Sequence, residues 1–388
     1  MRLSVISAAL VAALVGYAAS VAIVLAAAAA VGATVDQTAS WLLAISLGKA
    51  LGSALLSWRT RVPVVLAWST PGAALIAATG GINMAEAVGA FVAVGAMILL
   101  TGTWRALGQL VARIPDGIAA GMLAGVLLPF CLKGALAAQA LPLIVLPMVA
   151  LFVVVRMFSP AFAVLAALGG GVGLALITGT TLPELGLPVP ILTLIVPEFR
   201  LSVIIGLGVP LYLVTMASQN LPGFAVLRAA GYEPPVGPAL RATGVISAIT
   251  AFFGAHTVNM AAITAAICLG PEVHPDRNQR WKVGLAYGGA WVALGLLSPL
   301  IITVLAALPG EVVTALVALA LLGPLMGALS GAFAAPPQRF AAIMTLAVTG
   351  SGVAAFGVGA AFWGLTAGLA VYGLERLRHD AMPPKQGS

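Results

Sequence analysis

Charged residues are scarce in this chain of 388 residues: Asp, Glu, Lys and Arg make up 7% of it, whereas hydrophobic residues make up 61%. A soluble domain carries roughly 25% charged residues, so a water-exposed surface over most of the chain is excluded. The mean hydropathy is +1.12. The composition therefore predicts an integral membrane protein. Helices are the expected spanning elements, because the apolar runs are too long for the alternating strands of a barrel.

Groups that build metal, disulfide or catalytic sites are also rare. The two cysteines, Cys131 and Cys268, both lie in apolar stretches and have no metal-ligand spacing. No Asp or Glu lies clearly at the centre of an apolar run, which argues against a sodium site made of carboxylates. We find no acid–base dyad, metal cluster or nucleotide-binding loop, so neither an enzyme, a metal nor an organic cofactor is predicted. The net charge of +7 comes without a basic patch of interleaved aromatics, so nucleic acid is not an expected partner.

What the chain does have is long apolar runs. The first, 3–31, exceeds the 7–15 residues typical of a signal-peptide core, so we interpret it as a retained span. Charged and Pro/Gly-rich breaks predict an all-α polytopic membrane protein with fourteen segments. Their bounds are 4–31, 39–57, 64–79, 84–103, 114–133, 138–156, 159–178, 199–221, 240–252, 255–269, 282–305, 309–329, 338–351 and 353–374.

The distribution of Lys and Arg between the two sides of the membrane agrees with a count of fourteen segments. With the N-terminus inside, all of the 18 Lys and Arg residues are cytoplasmic except Lys133 and Arg200, which fall outside, and Lys49, which lies within segment 2. This asymmetry follows the positive-inside rule. It predicts a multi-pass protein of a bacterial-type inner membrane with both termini in the cytoplasm.

The fourteen segments divide into seven and seven at the connection 179–198. The predicted repeats are 1–180 and 198–376, and an odd number of spans in each makes the second repeat inverted. Segments 3 and 10 are then the third segment of each repeat. Both are interrupted by polar and helix-breaking residues, a pattern that indicates the binding site of a secondary transporter.

The two interruptions read Trp68-Ser69-Thr70-Pro71 and Phe253-Gly254-Ala255-His256-Thr257. In the first, a hydroxyl residue before Pro is typical of a helix start, and the preceding 62–66 favours an extended chain. We expect each segment to be a short strand followed by a half-helix, the second starting at about Thr257. Two facing helix N-termini would bind a carboxylate. The alternative is a pair of Pro/Gly kinks between packed helices.

His256 is the only histidine within an apolar segment, so it is the candidate for proton coupling. The competing interpretation is a neutral histidine that bonds to neighbouring backbone. Thr257 and Asn259 follow it closely. They would either bind substrate or lock segment 10 against segment 3.

Four further residues carry polar groups within or at the end of apolar runs. Ser218, Gln219 and Asn220 end segment 8, where they would either line a cavity or cap the helix before Pro222. Gln219 is the favoured ligand because its amide both donates and accepts. Lys49 would either neutralise an anion or extend to the interface.

Tyr17 and Trp68 are aromatic residues at predicted spans. They would either form an aromatic wall for a substrate or anchor the protein at the membrane interface.

The same residues carry a family resemblance. The stretches 68–75, 219–227 and 253–268, with Gly270-Pro271-Glu272 after them, are similar to the benzoate:proton symporter (BenE-type) family, and the likeness runs through nearly the whole chain. That family belongs with the uracil-permease-like transporters. The resemblance implies a core of segments 1–4 and 8–11, a gate of segments 5–7 and 12–14, elevator-like movement and a homodimer.

The expected function is import of benzoate or a similar aromatic carboxylate with a proton. The carboxylate would lie near Ser69, Thr70, Thr257 and Asn259, with Gln219 adding a hydrogen bond. The ring would pack on Tyr17, Trp68 or Phe253. Nucleobase members of the superfamily carry glutamates on segments 8 and 10, where this chain has Ser218 or Gln219 and His256 or Asn259, and this departure favours an anion. A transporter of another anion or of a nucleobase, and an anion channel, are the competing hypotheses.

Overall fold

The computed structural model describes residues 1–104, 114–183 and 190–381, and it is mostly helical. The elements up to residue 183 are listed in chain order: α1 (Leu3–Ala18), α2 (Val21–Ala30), α3 (Val35–Thr60), β1 (Leu66–Trp68), α4 (Thr70–Ala77), α5 (Met84–Thr103), α6 (Asp116–Ala140), α7 (Pro142–Phe158) and α8 (Ala163–Ile177). Arg105, Arg113, Lys385 and part of the predicted seam, 184–189, lie outside the described residues.

The second half follows a similar order. Its elements are α9 (Leu201–Ala229), α10 (Val236–Ala251), β2 (Val258–Met260), α11 (Ile263–Ile267), α12 (Lys282–Leu296), α13 (Ser298–Ala307), α14 (Gly310–Ala334), α15 (Arg339–Gly350) and α16 (Ala360–Ala381). Within the described ranges, six helical stretches are long and apolar enough to cross a membrane, and the bent pair α12–α13 makes up to seven. The chain is therefore a multi-pass membrane protein, while the count of fourteen remains a prediction.

Each of the two interrupted segments contains a short strand, and the strands pair with each other. β1 and β2 are antiparallel, with Leu66 opposite Met260 and Trp68 opposite Val258. Serines from the preceding helices complete the backbone bonding. Ser53 on α3 accepts from the Leu66 N–H at 2.9 Å, and Ser247 on α10 accepts from the Val258 N–H, also at 2.9 Å. A buried N–H needs such a partner, so the serines hold extended chain inside the bundle.

The half-helix after β2 corrects one prediction. The helix of segment 10 does not start at about Thr257: β2 occupies Val258–Met260, and α11 begins only at Ile263 and has five residues. Thr257 and Asn259 therefore belong to extended chain. The reason is the pairing with β1, which takes up the backbone groups of these residues before a helix can form.

Two other boundaries differ from the sequence prediction. Segment 8 does not end at Leu221, because α9 continues through Pro222 to Ala229, with π-helical stretches at Ile204–Gly208 and Met216–Asn220. A proline is tolerated where a π-helical turn already interrupts the regular hydrogen bonding. The last helix, α16, begins at Ala360 rather than near residue 353.

The helices pack in two groups. In one, α3 packs on α12, α5 on α10, and α1 on α12; in the other, α6 packs on α14 and α15, and α15 on α16. Small residues allow the close crossings. A Cβ added to Gly95 on α5 would lie 2.5 Å from the Ala248 nitrogen, and one added to Gly244 on α10 would lie 2.4 Å from the Leu99 nitrogen. Backbones approach this closely in membrane bundles only at small residues.

Candidate functional site

A cavity of about 880 Å³ lies between the two groups of helices. On one side it is bounded by α1, by the junction of β1 and α4, by the middle of α9 and by α12. On the other side it is bounded by α6 and α14. Four of the predicted site residues line it: Lys49, Trp68, Thr70 and Gln219. A concave, mostly apolar site with a few polar groups is the usual form of a small-molecule site.

Lys49 lies at the wall of this cavity between two tryptophan rings. Its Nζ is 3.4 Å from the centroid of the Trp68 ring and 2.9 Å from that of Trp291. Tyr17 packs against the same two rings, with centroid distances of 5.6 and 5.7 Å. The four side chains form what we call the lysine–aromatic cluster: Tyr17, Lys49, Trp68 and Trp291.

The polar atoms of this cluster are largely unpaired. Lys49 is fully buried, and among the described residues its Nζ, the Tyr17 hydroxyl and the Trp291 Nε1 have no hydrogen-bond partner. The ion pair found in the described ranges joins Arg200 to Glu86 at 2.7 Å and does not involve Lys49. Buried polar groups are normally paired, so the unpaired Lys49 and Trp291, both at the wall of the cavity, indicate a place for a polar ligand.

Energetics point to a negative charge on that ligand. A desolvated cation–π contact stabilises an ammonium by about 2 kcal/mol, whereas removing an ion from water costs several kcal/mol even after relaxation. The two tryptophan rings therefore offset only part of the cost of a charged Lys49. A carboxylate entering the cavity would supply the remaining compensation.

The start of α4 provides fewer donors than the sequence suggested. Ser69 is fully buried and its Oγ accepts from the Gly72 N–H at 3.0 Å, while the Ala73 N–H donates to the Ser69 carbonyl at 2.8 Å. Pro71 has no N–H to offer. α11 is short and starts at Ile263, later than predicted, so the pair of free, facing helix N-termini remains a prediction. The cation among the described residues that line the cavity is Lys49.

Gln219 and Thr70 are half-buried and line the cavity. Gln219 lies in the π-helical stretch of α9, where its neighbours have other partners: Ser218 donates to the Val214 carbonyl at 2.6 Å, and Asn220 Oδ1 accepts from the Met260 N–H at 2.9 Å. The π-helical turn thus directs Asn220 at β2 and leaves Gln219 at the cavity. Of the two interpretations of this stretch, the cavity-lining one fits its mid-helix position.

His256 lies just before β2, is fully buried and is not among the residues that line the cavity. Both ring nitrogens have partners: Nδ1 accepts from Trp41 Nε1 at 3.0 Å, and Nε2 lies 3.2 Å from the Ser69 carbonyl. The histidine therefore connects α3 to the junction of β1 and α4.

The remaining predicted residues lie behind the cavity. Thr257 Oγ1 is 3.1 Å from Thr215 Oγ1, and Asn259 Nδ2 donates to the Met260 carbonyl at 2.8 Å while its Oδ1 has no partner in the described ranges. Ser40 donates to the Phe253 carbonyl at 3.0 Å. These contacts position the strand pair. A substrate role for the three residues remains a prediction.

Trp291 and Tyr287 on α12 also line the cavity, and the sequence analysis missed them. The spacing carried a signal: residues four apart share one face of a helix, and these two aromatics lie within an apolar segment. Ser20 was missed too; its Oγ accepts from Trp68 Nε1 at 2.6 Å and orients that ring.

Solved structures share this fold. The transmembrane domain of a cyanobacterium bicarbonate transporter, BicA, matches with a TM-score of 0.60 and 14% identity, over 95% of this chain and 98% of that one. The murine Solute Carrier 26 family member A9 anion transporter, in its inward-facing state, also gives a TM-score of 0.60, at 12% identity, over 97% of this chain and 69% of that one. At these identities the likeness establishes the fold.

Sequence comparison identifies the family. The chain belongs to the benzoate membrane transport protein (BenE) family, whose profile matches residues 1–374. It is 39% identical to the inner membrane protein YdcO of Escherichia coli over 96% of both chains. It is 37% identical to the benzoate membrane transport protein of Acinetobacter baylyi, over 86% of this chain and 85% of that one. The family consists of membrane transporters, not enzymes, and the predicted family membership is confirmed.

Proposed function

We propose that the protein is a symporter of the bacterial inner membrane that imports benzoate or a similar aromatic carboxylate together with a proton. The observation that carries this proposal is the position of Lys49 at the cavity, buried between two tryptophan rings. A cation beside flat aromatic faces suits a ligand that is both anionic and aromatic. The Acinetobacter relative is a benzoate membrane transport protein, which agrees with this chemistry.

In the bound state, the carboxylate pairs with the Lys49 ammonium, and Thr70 and Gln219 are within the same cavity wall to bond its second oxygen. The ring packs against Trp68 and Trp291, while Tyr17 supports both from behind. Ser69, Phe253, Thr257 and Asn259 hold the strand pair in place around the substrate. The carboxylate among the described lining residues of the cavity is Asp116, which is exposed and forms no ion pair with Lys49.

Fourteen spans in a 7+7 inverted repeat are part of the proposal. Support comes from contacts that an inverted repeat would relate to each other. The packing of α3 on α12 corresponds to that of α10 on α5, and strand β1 corresponds to its partner β2. Ser53, which bonds to β1, corresponds to Ser247, which bonds to β2. The two packing groups correspond to a core of segments 1–4 and 8–11 and a gate of segments 5–7 and 12–14. Both termini are then cytoplasmic, and a homodimer is the expected assembly.

Alternating access would use the two cavities that flank α4. The first touches its N-terminal residues Thr70 and Pro71; a second, of about 550 Å³, touches its C-terminal end at Ala77 and is lined by Lys133 and Arg200. Elevator-like movement of the core against the gate would open the substrate site to each side in turn.

Uptake by purified protein in liposomes tests the proposal. Labelled benzoate should accumulate when the outside is made acidic. Because neutral benzoic acid crosses lipid unaided, protein-free liposomes define the background, and only uptake that saturates and is competed by unlabelled benzoate counts. Competition by uracil or sulfate instead would indicate a nucleobase or another anion, and currents without proton coupling would indicate a channel. Absence of saturable uptake for a range of aromatic acids would contradict the proposal.

A further inference from the structure

We infer that Lys49 is the group that receives the symported proton, so that proton and substrate bind together as one ammonium–carboxylate pair between the Trp68 and Trp291 rings. This inference rests on the proposed function and gives it a chemical mechanism. The coupling is then a property of one side chain, and it requires no separate proton site.

The geometry explains why neither the proton nor the substrate carboxylate binds alone. Lys49 is fully buried, its Nζ has no hydrogen-bond partner, and no ion pair reaches it among the described residues. A buried charge without a partner is neutralised rather than tolerated, so the empty site favours the neutral amine. A carboxylate entering beside a neutral amine would be equally uncompensated, because the wall around it is aromatic.

The step balances in atoms and charge. The amine lone pair takes one proton from a hydronium ion of the outside solution, which becomes water; an N–H bond forms, and the resulting ammonium pairs with the substrate carboxylate. One negative and one positive charge enter the buried site together, and its net charge does not change. On the other side of the membrane the carboxylate leaves, the ammonium loses its compensation, and the proton follows.

The other ionisable groups around Lys49 are less suited to this role. They are Tyr17 on α1, Tyr287 on α12, His256 before β2, Cys268 after α11, and Asp116 on α6 across the cavity. Asp116 is solvent-exposed and forms no ion pair with Lys49. His256 does not line the cavity, and a second proton on its ring would break the bond that Nδ1 accepts from Trp41, since an indole nitrogen only donates.

Calorimetry on the purified, full-length protein tests the inference. Benzoate is titrated near neutral pH in two buffers of different ionisation enthalpy, and the difference in binding heat gives the number of protons taken up. Wild-type protein is expected to take up about one proton per benzoate bound. Lys49→Arg, whose guanidinium is always charged, should bind benzoate with almost no proton uptake. Lys49→Met should bind at least about tenfold more weakly, because the ion pair is lost.

The matched control is Lys282→Met, which removes a half-buried lysine at the start of α12 that lines neither cavity. Its affinity and proton uptake should equal those of the wild type. Binding by the wild type without proton uptake would overturn the inference and leave the proposed function standing. The inference would also be overturned if proton uptake on benzoate binding persisted in Lys49→Arg, or if it disappeared in His256→Gln instead. If the wild type binds no aromatic carboxylate, both proposals fail.

Discussion

The indole Nε1 of Trp41 donates a hydrogen bond of 3.0 Å to Nδ1 of His256, and the two rings lie 5.6 Å apart between centroids. Since an indole nitrogen can only donate, Nδ1 accepts and Nε2 carries the hydrogen, which points to the Ser69 carbonyl 3.2 Å away. The imidazole of His256 therefore links α3, which carries Trp41, to the start of α4 and to the residues before β2.

The first prediction concerns this bond. Trp41→Phe keeps an aromatic ring, although a smaller one, and leaves the buried Nδ1 of His256 without a donor. The free energy of unfolding should fall by about 1–3 kcal/mol, the cost of an unsatisfied buried polar group. Thermal unfolding in detergent measures it. Trp58→Phe is the control, since Trp58 is 54% exposed and should tolerate the same change; equal stability of the two variants would contradict the assigned tautomer.

The second prediction concerns the orientation of the Trp68 ring. Ser20 Oγ accepts from Trp68 Nε1 at 2.6 Å and donates to the Gly16 carbonyl at 2.7 Å. Ser20→Ala removes the acceptor, so the ring should lose its fixed position beside Lys49 and benzoate affinity should fall about three- to tenfold. Quenching of tryptophan fluorescence by benzoate measures the affinity.

Two variants control that experiment. Ser20→Thr retains the hydroxyl and should retain most of the affinity. Ser7→Ala removes an exposed hydroxyl from α1, the helix that precedes Ser20, and should have no effect. If Ser20→Ala binds as tightly as the wild type, the orientation of Trp68 does not matter for binding.

The third prediction tests the charge of the cavity. Gln219→Glu places a carboxylate at the cavity wall that Lys49 also lines. It should compete for the ammonium and repel the substrate, which weakens benzoate binding by at least about tenfold, or about 1.4 kcal/mol. Calorimetry with benzoate and with the neutral analogue benzamide separates charge from shape, because only benzoate should be affected strongly. A similar loss for Gln219→Leu would indicate that the amide hydrogen bond, not charge, explains the result.

The fourth prediction concerns the crossing of α5 and α10. Gly244→Ala places a Cβ about where the Leu99 backbone lies, 2.4 Å from its nitrogen, and backbone cannot move aside as a side-chain end can. The variant should lose at least about 1–3 kcal/mol of stability or fail to accumulate. Gly289→Ala on α12 is the control because nothing lies within 4 Å of its added Cβ. Normal yield and stability of Gly244→Ala would show that the helices separate easily.

Much of the site's outline could be predicted from the sequence. The interruptions at Trp68-Ser69-Thr70-Pro71 and near His256 each contain a short strand, as expected, because polar and helix-breaking residues stand out in an apolar chain. Gln219 and Lys49 stood out for the same reason. The half-helix start at Thr257 could not be predicted correctly, because the pairing of β2 with β1 depends on a segment almost two hundred residues away.

Hydrophobicity and its interruptions are local, so the order of residues alone specifies a helical membrane protein, the family to which it belongs and the two broken segments. Whether a buried polar group has a hydrogen-bond partner depends on residues that are distant in the sequence. Only the packing of α1, α3, β1 and α12 brings Tyr17, Lys49, Trp68 and Trp291 together, and only the packing of α3 and of the junction of β1 and α4 around His256 gives both of its nitrogens a partner. The tertiary structure therefore decides which of two polar residues, Lys49 or His256, equally conspicuous in the sequence, is left without a hydrogen-bond partner at the cavity.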